Sequence, residues 1–256
     1  MVKIAITGAN GRMGQTLLKL IYENKNTKLA GALVRSGNEN VDNDTGYGVK
    51  YTDDAEGIFE TADIVIDFCP IGATEYHLGL AKKHNTKLVI GTTGLDEITE
   101  KKIAEASKEI AIVYASNFSV GVNLMFALSE KAGKVLSKIG FETHIEETHH
   151  IHKLDAPSGT ALSIGKSIAK GRGVNFKDIY KYQQSRTNIN DLTFTDIRKG
   201  EVIGDHTVSF THSLESFIMT HNAHDRSVFA EGAIIAALWL VHKKPYLYSM
   251  QNVLNI

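Results

Sequence analysis

The chain has 256 residues, 43% hydrophobic and 22% charged, the proportions of a globular protein with material for one large domain or two ordinary ones. A net charge of −1 gives neither nucleic acid nor an anionic membrane an electrostatic reason to bind. One cysteine, Cys69, excludes an internal disulfide framework; with no leader pattern at the N-terminus and no apolar run long enough to span a bilayer, a cytoplasmic location is expected.

Val2–Ile6 is apolar and rich in β-branched residues, and it runs into the turn TGANGRMG. Met13, Leu17, Leu18 and Ile21 then recur at helical spacing, so the opening unit reads strand–turn–helix. Further strands are expected at Leu29–Val34, Ala62–Phe68, Lys87–Gly94 and Ile110–Phe118, with helices after the third and fourth strands. This alternation predicts βαβ units in a parallel sheet, and the lack of period-2 patterning predicts strands buried on both faces. Arg35–Gly48, polar and rich in Gly, Asn and Asp, is the segment expected to be flexible.

The pattern changes after Asn117. An amphipathic helix is expected over Val122–Ile139, followed by an alternating stretch, FETHIEETHH. Ser158 suits the N-cap of a helix through Ala161, Leu162, Ile164 and Ile168 that stops at Gly171–Gly173. DLTFTDIRKGEV, HTVSFTH and ESFIMTHNA alternate like strands of an open, mostly antiparallel sheet with one face exposed. The last helix, in SVFAEGAIIAALWLVHK, is too apolar to stand alone and is expected to return to the first domain. The expected fold is thus α/β: a Rossmann-like parallel-sheet domain from residues 1–118 and 227–256, plus an α+β domain at 119–226 with an open mixed sheet for substrate and oligomerisation.

Gly8, Gly11 and Gly14 form a G-x-x-G-x-x-G spacing between the first strand and first helix, enclosing Ala9, Asn10, Arg12 and Met13. Glycine there lets the backbone approach a pyrophosphate, whose charge the helix N-terminus favours. The bland alternative is a tight turn without a ligand. An acidic residue is the usual partner of the NADH ribose at the end of the second strand; here Val34 is followed by Arg35, which points to the 2′-phosphate of NADPH unless Arg35 is an ordinary surface residue. Gly91, Thr92, Thr93 and Gly94 lie at the carboxyl end of the fourth strand, where ligands of such sheets collect.

HHIHKLDAPSGTAL, from His149, concentrates titratable groups. His150 and His152 could face one way as metal ligands do, but the thiolates and the H-E-x-x-H pattern of zinc sites are missing, so no metal is expected. A histidine that titrates near neutrality, the cation Lys153 and a helix opening at PSGT describe a site for a small anionic substrate, with N–H groups of Gly159 and Thr160 aimed at a carboxylate. The competing reading is a polar hinge loop.

ETHHIHKLDAPSGTAL closely resembles the E-x-H-H-x-x-K-x-D-A-P-S-G-T-A signature of the 4-hydroxy-tetrahydrodipicolinate reductases, also called dihydrodipicolinate reductases. GANGRMG, DF, GTTG, ASNFSVGVN, EVIGDHTVSF and AHDRSVFAEGA extend the resemblance along the whole chain. It implies a reductase of lysine and diaminopimelate biosynthesis that uses NADPH or NADH to reduce a ring dicarboxylate. By motif position it implies His149 as acid–base residue and Lys153 as proton donor, with His150, Lys153, Gly159 and Thr160 binding substrate carboxylates. It implies cofactor contacts from Gly8 to Met13, from Gly91 to Thr93, and from Ala115, Ser116, Asn117 and Phe118. It also implies two domains that close on one another and a homotetramer formed through the second sheet. Some members carry an acidic residue where this chain has Val34, so strict NADH preference is not expected.

Three rivals differ in what they require. A semialdehyde dehydrogenase needs a cysteine nucleophile in its second domain, whereas Cys69 lies in the first. A short-chain dehydrogenase needs Tyr-x-x-x-Lys, and no tyrosine here has a lysine four residues on. A non-catalytic NADPH-binding sensor would leave His149 and Lys153 idle.

Overall fold

A computed structural model describes all 256 residues. Its first stretch runs β1 (Val2–Thr7), α1 (Arg12–Glu23), β2 (Thr27–Leu33), β3 (Tyr51–Thr52), α2 (Ala55–Thr61), β4 (Ile64–Asp67), α3 (Thr74–His84), β5 (Lys87–Ile90), α4 (Glu97–Ala106) and β6 (Ala111–Tyr114). Then follow α5 (Val120–Leu136), β7 (Glu142–His149), α6 (Gly159–Arg172), α7 (Phe176–Ile179), β8 (Tyr180–Tyr182), β9 (Leu192–Arg198), β10 (Asp205–Thr211) and β11 (Ser216–Asn222). The chain ends with α8 (Ser227–Leu240), β12 (Tyr246–Tyr248) and α9 (Met250–Leu254). Packing divides it into two units, Met1–Ser119 with Arg226–Asn255, and Val120–Asp225.

The first unit is built on a seven-stranded sheet of order β12-β6-β5-β4-β1-β2-β3, parallel throughout. Its strands are apolar without a break because helices cover both faces. Ile4, Ile6, Ile64, Ile66, Val89 and Val113 point into one layer, shared with Leu17, Leu18 and Ile21 of α1 and Ala233, Ala236, Ala237 and Leu240 of α8. Ala5, Val65, Leu88, Ile90 and Ile112 point into the other, against Ile58 and Phe59 of α2, Leu78 and Ala81 of α3 and Ile103 of α4. Each fully buried isoleucine is worth about 1.5–3 kcal/mol, so the two layers together hold the unit. From β1 the strand order grows one way to β2 and β3 and the other way to β4, β5 and β6. That reversal places a crevice at the carboxyl ends of β1 and β4, where such sheets bind ligands.

Short elements that carry little periodic signal (β3, α2, α7, β8, β12 and α9) were not anticipated from the sequence. Arg35–Gly48 is wound into hydrogen-bonded turns: Asn38 N–H donates to Arg35 O, Val41 N–H to Asn38 O and Asp42 N–H to Tyr51 O.

In the second unit α5 and α6 pack together on a five-stranded sheet of order β11-β10-β7-β9-β8. The sheet corrects one expectation: β10 pairs antiparallel with β11 and β7, but β7–β9 and β9–β8 are parallel, so it is half antiparallel, not mostly so. The α6–α7 crossover carries the chain back before β8, as a parallel connection requires. Only β7 and β10 alternate strictly between buried residues and half-buried or exposed ones. The register orders the covered face: Thr143, Leu192 and Phe210 align, then Ile145, Phe194 and Val208, then Glu147, Asp196 and His206, and last His149 beside Arg198. The face therefore passes from apolar to charged along β7. The opposite face is rich in hydroxyls, with His144 bonded to Thr193 and Thr207 to Thr220.

Candidate active site

The first cluster is the glycine loop and the strand ends beside it. Gly8 adopts φ +63°, a left-handed conformation that favours glycine, and Gly11 N–H donates to Gly8 O. A Cβ on Gly14 would lie 2.4 Å from Gly8 O and 2.5 Å from Ala9 O, so only glycine lets α1 start this close to the loop. Gly11, the N-cap, supplies no side-chain hydrogen bond, and the first turn of α1 holds no acidic residue. The helix therefore presents its N-terminal N–H groups without a built-in anion, and a dinucleotide pyrophosphate fits it.

Gly8, Ala9, Asn10, Gly11, Arg12 and Met13 follow β1; Arg35, exposed, follows β2; Gly91, Thr92 and Thr93 follow β5; Ala115, Ser116, Asn117 and Phe118 follow β6. Parallel strands end at one edge, which brings these segments to the same rim of the sheet. Met13, Gly91, Thr92 and Thr93 line a cavity of ≈ 600 Å³ with Phe68, Cys69, Pro70 and Ile71. The Phe68 ring lies 5.6 Å from that of Phe118.

Beneath this rim lies Asp67, fully buried, which accepts hydrogen bonds from Thr7 Oγ1 (2.7 Å) and Cys69 N (3.0 Å) and faces His77 Nδ1 at 3.0 Å. Burial pushes its carboxyl up, but the bonds from His77, Thr7 and the Cys69 amide outweigh it and hold the group ionised. Asp67 thus ties the end of β1 to the Phe68–Cys69 turn and to α3. Burial, with the Asp67 charge, pushes the Cys69 thiol up to about 12. Such a thiol is no nucleophile, and the semialdehyde dehydrogenase reading loses its one candidate.

The second cluster closes the charged end of the covered face in the second unit. His149 ends β7 and is 6% exposed; its Nδ1 faces Glu147 Oε2 at 3.6 Å, and its ring meets that of His206 edge-on at 5.2 Å. Glu147 Oε1 accepts the Ser158 N–H at 2.7 Å, and Oε2 lies 3.4 Å from His206 Nε2. Ser158 Oγ caps α6 by accepting from Ala161 N and lies 3.2 Å from His206 Nε2. The buried histidine–carboxylate cluster and the helix N-terminus are therefore one construction. Burial draws His149 down to about 4, against the nearby Glu147 charge; burial pushes Glu147 up, but the facing His206 and the bonding to Ser158 bring it to about 2. At neutral pH the pair is a neutral imidazole beside a carboxylate.

Lys153 Nζ pairs with Asp155 at 2.8 Å on the loop after β7. Arg198 holds that loop, its Nε donating to Lys153 O and a terminal nitrogen to Asp155 O. His150 keeps a buried Nδ1 without a partner, and a Cβ on Gly159, the first residue of α6, would meet nothing. His152 is exposed, near Glu201. Sequence reasoning had not singled out Asp67, His77, Glu147, His206 or Arg198. The DF dipeptide, the leading Glu147 of the E-x-H-H signature and the EVIGDHTVSF stretch held three of them, Asp67, Glu147 and His206, without showing what they touch.

A parallel doubly wound sheet with a glycine loop after its first strand, in a chain that also holds a buried acid–base cluster, defines a dinucleotide-dependent oxidoreductase. The chain matches the family models described as Dihydrodipicolinate reductase, N-terminus, over residues 2–118, and Dihydrodipicolinate reductase, C-terminus, over 121–254. Among its relatives, the 4-hydroxy-tetrahydrodipicolinate reductase of Psychrobacter arcticus is 39% identical over 100% of this chain and 96% of its own. That of Neisseria meningitidis serogroup C is 40% identical, over 100% and 98%. In fold the chain is similar to the dipicolinate-bound dihydrodipicolinate reductase of Paenisporosarcina sp. TG-14, with TM-score 0.79, 23% identity and 97% of both chains covered. It is also similar to the biliverdin reductase of Synechocystis sp., solved with biliverdin and NADP+, at TM-score 0.58, 12% identity and 99% and 95% coverage. The chain belongs to the dihydrodipicolinate reductase family. Its activity is the NAD(P)H-dependent 4-hydroxy-tetrahydrodipicolinate reductase step of lysine and diaminopimelate biosynthesis. No helix is long and apolar enough to cross a membrane.

Proposed function

We propose that this reaction is divided between the two units, with cofactor held by the first and the ring dicarboxylate by the second. Gly8, Ala9, Asn10, Gly11, Arg12 and Met13 take the pyrophosphate; Gly91–Thr93 and Ala115–Phe118 flank the nicotinamide half; exposed Arg35 meets the 2′-phosphate, which favours NADPH over NADH. The bound cofactor supplies a hydride.

His150, Lys153 and the N–H groups of Gly159 and Thr160 hold the two substrate carboxylates. The buried, unpartnered His150 Nδ1 and the open space at Gly159 support this. Reduction of a ring conjugated to an imine leaves a neighbouring carbon that must gain a proton. Lys153 Nζ is the cation placed to deliver it, while His149, neutral in the free protein, exchanges protons once the substrate charges raise its affinity for one. The observation that carries the assignment is the Glu147–Ser158 bond, which places His149 and the α6 N-terminus in one buried cluster. A cytoplasmic homotetramer, with copies meeting on the open hydroxyl-rich face of the second sheet, completes the reading; the mass in solution checks it.

The deciding assay follows NADPH and NADH oxidation with substrate generated in place by the preceding synthase from pyruvate and aspartate semialdehyde. The His149→Gln variant should lose about 10²–10⁴-fold in turnover with cofactor binding intact, and Lys153→Ala should lose both turnover and substrate affinity. Wild-type turnover in either variant removes that residue from the mechanism. Cofactor binding without any turnover in the wild type would restore the sensor reading.

A further inference from the structure

Glu147 sits beneath His149 with a geometry that decides where the imidazole keeps its proton. We propose that Glu147 is a positioning residue that holds a proton on His149 Nδ1 and so leaves Nε2 as the atom that exchanges protons with substrate. The assignment rests on the acid–base reading of His149.

Glu147 is 2% exposed, and its Oε2 makes no well-aligned hydrogen bond, although it faces two imidazoles, at 3.4 Å and 3.6 Å. At 3.6 Å the His149 Nδ1 contact is a few tenths of an ångström too long for a hydrogen bond, a gap that a bound substrate can close. With the proton on Nδ1, His149 offers a donor to the carboxylate. The opposite tautomer would set an imidazole lone pair against carboxylate lone pairs in a buried space, with both groups unsatisfied. On the far side of the ring, a Cβ on Gly204 would lie 3.1 Å from Nε2, so this glycine keeps space at the exchanging nitrogen.

Glu147 is itself fixed from two sides. The Ser158 N–H donates to Oε1, and His206 Nε2 stands at 3.4 Å from Oε2 and 3.2 Å from Ser158 Oγ. His206 Nδ1 is buried without a partner. Carrying its proton on Nε2 spares that atom from being an orphaned donor and gives Glu147 a second hydrogen. The carboxylate therefore joins β7, β10 and the start of α6, so the orientation of the His149 ring and the placement of the α6 N–H groups are set together.

The test labels histidine with ¹⁵N and reads the tautomer of the ring whose signals vanish in His149→Gln, in the full-length protein. The expected wild-type state is Nδ1–H. Glu147→Gln should shift the ring toward Nε2–H or a mixture and lower kcat about 10- to 100-fold with the KM for NADPH unchanged. Glu147→Asp, which keeps the charge, should recover part of both. A wild-type ring protonated on Nε2 overturns the proposal, and this needs no variant to fold. An unchanged tautomer in folded Glu147→Gln also overturns it, as does a changed tautomer with full turnover while His149→Gln is impaired. Full turnover in His149→Gln strikes instead at the acid–base reading of His149, independently of the tautomer.

Discussion

Gly14 and Gly159 lie in two of the glycine-bearing motifs, and their surroundings differ. A Cβ on Gly14 collides with two backbone oxygens, while one on Gly159 enters open space. Gly14→Ala is therefore expected to cost about 1–3 kcal/mol by overpacking, visible as a lower midpoint of thermal unfolding, and to weaken NADPH binding. Gly159→Ala should leave the unfolding midpoint in place and raise the substrate KM, because any cost there falls on a ligand that approaches the backbone. A drop in stability for Gly159→Ala, or none for Gly14→Ala, would contradict this division. The glycine loop was legible in the sequence because its geometry is local: three glycines in seven residues determine a turn and a helix start. The Glu147–His206 contact was not, since it comes from strand register between residues far apart in the chain.

Individual strands and helices were visible from their periodicity, but their neighbours were not. β7 and β10 alternate in the sequence as they do in the structure; nothing in β9 announces that it runs parallel to β7. That pairing sets Arg198 beside His149 and within reach of the loop carrying Lys153. The strap suggests a specific result. Arg198→Ala releases two charge-assisted bonds to the Lys153–Asp155 backbone, and the substrate KM should rise about tenfold, equivalent to about 1.4 kcal/mol, with the KM for NADPH unaltered. Steady-state kinetics with each substrate varied in turn checks it; an equal change in both constants would mean a wider disturbance of the fold. The very short elements escaped sequence reading for a related reason. β3, β8 and β12 span two or three residues each and are strands only because a neighbour is there to pair with.

For the molecule as a whole, the buried cluster makes stability depend on pH in two stages. His149 takes up a proton near 6.5 when unfolded and near 4 when folded. Between these values the unfolded chain binds more protons, so stability is full above about 6.5 and declines as pH falls toward 4. Glu147, lowered from 4.5 to about 2, contributes stability that is intact above 4.5 and lost as pH falls toward 2. Urea midpoints measured at pH 7.5, 5.5 and 4 should fall, and His149→Gln should flatten the upper part of the curve. A wild-type curve already flat from pH 7.5 to 4 would show that His149 is not buried as a neutral ring.

The central place of β7 has a further consequence, in the rate at which backbone amides trade hydrogen with solvent. β7 is laddered on both sides, to β10 and to β9, and it ends on His149. Its amides open only when the sheet opens, so they exchange among the slowest in this unit, whereas the loop at 150–156, outside any strand and tied by isolated bonds such as Ile151 N–H to Gly200 O and Lys153 N–H to His150 O, exchanges faster. The His149 ring, for which we propose the acid–base role, is thus mounted among the slowest-exchanging backbone of its unit. Lys153, four residues later, sits on the faster loop, where its pairing with Asp155 and the Arg198 bonds, not the sheet, set its position.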